Sequence, residues 1–208
     1  LFHEFGHALH SLLRTRTYTN QLMPRDFVEL PSQIMENWAG EPAVMKEYAR
    51  HYQTGEPIPD ELIEKMENAR YHNQGFTAVE YLAASFLDMD WHTLTEIQDR
   101  DPQEFEAASL AKINLIPEII TRYRSPYFNH IFSWSYSSGY YSYIWAEVLD
   151  ADAFQAFKET DLFNQELAGK FRKYVLGLSG SQDTMDLYRE FRGKDPEIQP
   201  LLDRRGLN

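Results

Sequence analysis

Two histidines four residues apart, His3 and His7 in the opening LFHEFGHALH, commit the first segment of this chain to a helix. Side chains at i and i+4 share a face only at the helical repeat, and two imidazoles must share a face to converge on one ion. The apolar residues agree. Phe2, Phe5, Leu9, Leu12 and Leu13 recur at helical spacing and predict a helix from Phe2 to about Arg16. A polar connector, Thr17 to Arg25, follows and is closed by Pro24. Asp26 is placed to cap the next helix, FVELPSQIMENWA, with Glu29 three residues on as in a capping box. Pro31 stands where a first or second turn tolerates it.

The same periodicity continues. After Gly40 and Pro42 comes VMKEYARHY, and after the turn at Gly55, Pro57 and Pro59 comes ELIEKMENARYH with Asp60 as its cap. Further helices are expected over Phe76–Leu94, Pro102–Lys112, Pro117–Arg122, Ser138–Lys158, Phe163–Leu176, Met185–Phe191 and Ile198–Asp203. Strand signals are weak, and no repeat, low-complexity tract or flexible linker divides the chain. The expectation is an all-α fold in one region, residues 1–208.

Composition narrows the partners. The formal net charge of -12 argues against nucleic acid and anionic membrane surfaces. The absence of cysteine removes disulfides and thiolate metal sites. No apolar run approaches the roughly 20 residues of a membrane span.

H-E-x-x-H on a helix carries a specific chemistry. His3 and His7 can bind one zinc ion, and Glu4, next to the first ligand, can act as general base on a water. A catalytic zinc needs a third protein ligand and an open fourth position. A third histidine six residues after His7 would be the metzincin arrangement, but that position is Leu13, and the glycine it requires is His10. His10 is left as either a support to the metal ligands or a plain histidine, buried or exposed. The remaining source is a carboxylate on the next helix. Glu29 and Glu36 lie seven residues apart and so on one face. One would bind the metal and the other would orient a ligand imidazole through its second nitrogen. Spacing leaves the two equivalent.

HEFGHALH followed by RDFVELPSQIMENW resembles the zinc site of the thimet oligopeptidase family, whose members include neurolysin, oligopeptidase A and bacterial dipeptidyl carboxypeptidase. The resemblance implies that His3, His7 and Glu29 hold one Zn2+ and that Glu4 is the general base. A third stretch, HIFSWSYSSGYYSYIWAEVLDADAF, extends it. There His130, Tyr136, Tyr140 and Tyr143 fall on positions that line the family's substrate cleft. Tyr136 and Tyr143 would donate their phenolic O–H to the carbonyl oxygen as it gains charge. His130 would bind the peptide backbone or the same oxygen. Tyr141 and Trp145 are expected in the core. The family carries glycines just before the first of these tyrosines, where this chain has Trp134-Ser135, a stiffer approach to Tyr136.

The C-terminal MDLYREFRGKDPEIQPLLDRRGL and the stretch AEVLDADAF resemble the dipeptidyl carboxypeptidase branch. The match implies the helical catalytic lobe of a zincin-type peptidase with its metal helix at the N-terminus. It covers only the C-terminal portion of the family's usual chain, so a fragment lacking the N-terminal part of a two-lobed parent is expected. The implied activity is cleavage of short peptides with release of C-terminal dipeptides, for which Arg25 and Tyr140 are candidates to bind the terminal carboxylate. Arg25 serves equally well as a partner for Asp26 or surface acids. The alternatives are an oligopeptidase making internal cuts and a zinc-binding helical fragment without activity.

Overall fold

The computed structural model describes residues 1–15, 22–133 and 135–207. Arg16, most of the Thr17–Arg25 connector, Trp134 and Asn208 lie outside the described residues. The fold is all-α. In chain order the helices are α1 (Phe2–Leu12), α2 (Leu30–Gly40), α3 (Pro42–Tyr48), α4 (Asp60–Ala69), α5 (Gln74–His92), α6 (Pro102–Lys112), α7 (Asn129–Phe132), α8 (Ser142–Glu159), α9 (Gln165–Lys170), α10 (Thr184–Arg192) and α11 (Gln199–Arg204). Short 3-10 turns, Arg25–Phe27 and Ser125–Tyr127, precede α2 and α7. The chain after α9 continues as a π-helical turn, Phe171–Gly177. Among the described residues, isolated bridges pair Arg50 with Pro57 and Ser179 with Gln182. None of the described helices is long and apolar enough to cross a membrane.

The chain forms two compact units, Leu1–Tyr71 with Ile144–Asn208, and His72–Tyr143. The first is built on a core of Phe27, Leu30, Ile34, Leu149, Phe154, Phe157, Val175 and Tyr188. In it α1 lies directly on the first turn of α2. The contact is possible because residue 6 is glycine: a Cβ there would stand 2.3 Å from the Pro31 carbonyl oxygen and 2.6 Å from Ser32 Cα. The second unit packs Ala84, Phe128, Ile131 and Tyr140 together, with Tyr81, Trp91, Tyr123 and Tyr143 against them. There buried Glu106 accepts hydrogen bonds from the Ser125 N–H and hydroxyl and pairs with Arg124.

Several sequence expectations are corrected. The capping box at Asp26 does not form. Asp26 sits in the 3-10 turn, and α2 opens at Leu30 with no side-chain cap. Pro31 is the cause: in a helix opening at Phe27 it would fall past the first turn, lacking an N–H and clashing with the preceding carbonyls, whereas near the start of α2 it is harmless. Pro117–Arg122 is not helical. Asn114 closes the preceding turn at φ 52, and the short β-branched run after it is too brief to nucleate a helix. The long helix expected from Ser138 begins only at Ser142, because Ser138 is left-handed at φ 54. Tyr141 and Trp145, expected in the core, are exposed.

Candidate active site

In α1 the imidazoles of His3 and His7 stand one turn apart, their centroids separated by 5.0 Å and their planes nearly perpendicular. Glu29, at the entrance to α2, is 4 % exposed and meets both. Its Oε2 lies 3.5 Å from His3 Nε2 and 3.2 Å from His7 Nε2. One donor atom from each of His3, His7 and Glu29 falls within 4.8 Å of the others.

Each of these groups is held from behind. His3 Nδ1 is 2.5 Å from Glu36 Oε1. Donation of Nδ1–H to that carboxylate assigns the tautomer and leaves the Nε2 lone pair facing Glu29. Ser32, fully buried, shares its hydroxyl proton between the Glu29 carbonyl oxygen at 2.9 Å and Oε2 at 3.0 Å. The His7 imidazole titrates above its ordinary value. Its hydrogen bond to Glu29 is the largest cause, burial opposes it, and the charges of Glu29 and Glu4 add to the rise. Glu4 itself is exposed on α1.

The donor set fits a divalent zinc ion. A tetrahedral centre with bonds of about 2.1 Å separates its ligand atoms by roughly 3.4 Å, and two imidazole nitrogens with one carboxylate oxygen leave a fourth position open. The contacts of 3.2 and 3.5 Å around Glu29 Oε2 match that spacing. Glu36 meets the outer nitrogen of His3 instead. His10 is buried and bonds Ser179 Oγ at 2.6 Å, tying the end of α1 to the loop after the π-helical turn. Arg25 is half-buried in the 3-10 turn before α2.

In the second unit, His130, Tyr136, Tyr140 and Tyr143 form one aromatic group. Tyr136 stacks on Tyr143 with centroids 5.1 Å apart at 18°, and His130 lies 6.3 Å from Tyr136 and 5.8 Å from Tyr140. Burial pushes the Tyr140 phenol above its ordinary value, against the charge of Arg122, so its O–H is retained.

Sequence reasoning overlooked Ser32, Gly6 and Asp88. Ser32 carried a usable signal, three residues after Glu29 and therefore on its face. Gly6 sits inside the H-E-x-x-H motif at a position the motif leaves open. Asp88, whose carboxylate accepts the N–H groups of Ser138 and Tyr140, carried none, since its partners lie fifty residues away and more.

Comparison with known proteins agrees in direction. The chain is 47 % identical to the dipeptidyl carboxypeptidase of Escherichia coli K12, over 100 % of its own residues and 31 % of that protein's. Its identity to oligopeptidase A of the same organism is 39 %, with the same coverage. To saccharolysin of Saccharomyces cerevisiae it is 33 %, over 99 % of this chain and 30 % of the relative. The chain therefore spans about a third of the length of these curated relatives. It matches peptidase family M3 over residues 1–207, nearly its whole length, and it belongs to that family.

Proposed function

We propose that this chain carries the catalytic machinery of a zinc-dependent peptidase of short peptides, and that the reaction releases dipeptides from a free C-terminus. The observation that carries this reading is the convergence of His3, His7 and Glu29 beside Glu4. The relatives' names support peptide hydrolysis, and the greater identity to the dipeptidyl carboxypeptidase supports the exopeptidase form.

In this reading His3, His7 and Glu29 would hold zinc, with Glu36 and Ser32 keeping the His3 imidazole and the Glu29 carboxylate aimed. When bound, zinc polarises the scissile carbonyl and makes water more acidic. The Glu4 carboxylate takes a proton from the attacking water and returns it to the amine as the C–N bond breaks. Tyr136 and Tyr143 donate O–H to the carbonyl oxygen, which gains charge as the tetrahedral carbon forms. His130 binds the peptide backbone. Arg25 is the candidate for the terminal carboxylate, through a charge-assisted fork, whereas the Tyr140 ring is 3 % exposed and packed in the core of its own unit.

The test is hydrolysis of a short peptide by the zinc-loaded chain, beside Glu4→Gln and Glu29→Ala. Wild type is expected to bind one zinc and cleave. Glu4→Gln should keep the metal and lose the activity, and Glu29→Ala should lose both. Zinc bound without hydrolysis would leave a metal-binding fragment. A C-terminally amidated peptide separates the two forms of the reaction. Loss of cleavage on amidation supports dipeptide release, and unchanged cleavage supports internal cutting, as the name oligopeptidase in the 39 % relative suggests.

A further inference from the structure

Of the tyrosines assigned to the substrate carbonyl, Tyr143 lies in the first turn of α8 and Tyr136 on a segment that takes little order from regular structure. Residues 135–141 form turns ahead of α8, and Ser138 holds φ 54, a conformation that costs a serine energy. What holds it there is a carboxylate from another helix. Asp88 on α5 is fully buried. Its Oδ1 accepts the Ser138 N–H at 3.0 Å and lies 2.8 Å from His92 Nδ1, and its Oδ2 accepts the Tyr140 N–H at 2.9 Å. The same helix sends the Tyr81 hydroxyl to the Tyr140 carbonyl oxygen. Upstream, the Tyr136 N–H bonds the His130 carbonyl oxygen at 3.2 Å and the Ser137 hydroxyl bonds that of Ile131 at 2.7 Å.

We propose that Asp88 is a positioning residue for the reaction: it fixes the backbone at Ser138 and Tyr140 so that the stacked Tyr136 and Tyr143 are presented in one conformation. This rests on the functional reading above. The chemistry requires an ionised carboxylate, because donors approach both of its oxygens. An amide of the same shape would turn an NH2 toward at least one of those donors, leaving donor against donor in a site closed to water. His92, whose Nδ1 also lies 2.9 Å from the Asp88 carbonyl oxygen, completes the set of acceptor-seeking groups. In this reading Asp88 itself does not touch substrate. Its effect on the reaction passes through the tyrosines.

The test is Asp88→Asn in the full, zinc-loaded chain, read by amide hydrogen exchange, zinc content and peptide kinetics. Exchange at Ser138 and Tyr140 is expected to accelerate at least about tenfold while zinc stays at one per chain. The kcat should fall by roughly tenfold or more with KM changed by less than about threefold. In a Tyr136→Phe background, Asp88→Asn should cost little further, since the interaction it positions is already gone. A purely structural role would instead give additive losses. Unchanged protection at both amides overturns the proposal, and so does lost protection with unchanged kcat. If Asp88→Asn loses its helical circular dichroism, Tyr81→Phe takes its place, with smaller changes expected in the same direction at Tyr140 and in kcat. No change in either quantity would again overturn the proposal. A wild-type chain that binds zinc but hydrolyses nothing sinks the functional reading, and with it a catalytic role for Asp88, while the exchange data separately report whether Asp88 holds the segment.

Discussion

Glu36 is exposed, yet its carboxylate sits 2.5 Å from His3 Nδ1. As an ion pair it contributes little to stability at the surface. In the proposed reading it sets the His3 tautomer for the metal. Glu36→Gln is therefore expected to leave the melting temperature nearly unchanged and to weaken zinc binding by about 10- to 100-fold. Competition against a chelator of known affinity measures it. An unaltered affinity would mean that α1 alone orients His3. Ser32 stands differently, since its hydroxyl serves a carboxylate that is nearly inaccessible to water.

At the scale of elements, the centre depends on how closely α1 approaches α2, and Gly6 sets that distance. Gly6→Ala adds a methyl whose nearest neighbours are backbone atoms of Pro31 and Ser32, which no rotamer change relieves. Helix propensity favours alanine by about 1 kcal/mol, but overpacking against backbone costs at least roughly 1–3 kcal/mol. The two helices must separate, and Glu29 leaves the histidines with them. The expected result is a lower melting temperature together with zinc affinity reduced more than about 100-fold, since one of three ligands is displaced. Gly40→Ala is the matched control. It lies at the end of α2 with nothing within 4 Å of an added Cβ. There the substitution is expected to be neutral or to stabilise by up to about 1 kcal/mol. Thermal unfolding and zinc titration of the pair decide the point.

At the scale of the molecule, the unit holding His3, His7 and Glu29 is closed by distant parts of the sequence, residues 1–71 and 144–208. Its seam is a half-buried polar network around one buried carboxylate. Arg204 on α11 reaches Asp150 on α8 at 2.5 Å and Asn37 on α2 at 3.0 Å, and Asn37 donates to Asp150 at 2.9 Å. Asp150 is 1 % exposed, so removing its arginine strands a charge. Arg204→Ala is expected to destabilise by about 3–5 kcal/mol. Arg204→Met combined with Asp150→Leu should recover most of that loss, because an apolar pair asks for no compensation. Urea unfolding of the two variants measures both. Because Asn37 follows Glu36 on α2, zinc affinity should fall with Arg204→Ala as well.

The helical class and the helix that puts His3 and His7 on one face were legible in the sequence because both are local. Periodicity reports which face of a segment is apolar, and four residues between histidines put them on one side whatever the rest of the chain does. Pro102–Lys112 was legible for the same reason. Which of Glu29 and Glu36 meets both histidines was not legible from spacing, since both occupy the same face of the same stretch. It was decided when Gly6 let α1 settle on the start of α2, bringing Glu29 to the inner nitrogens and Glu36 to the outer one. The turns before α8 lay equally beyond the sequence. A run of Ser, Gly and Tyr is compatible with helix, and what overrode it was a buried carboxylate fifty residues earlier. Local pattern determines which elements form; the long-range hydrogen bonds and close backbone contacts that set where each donor atom ends up exist only once those elements have packed.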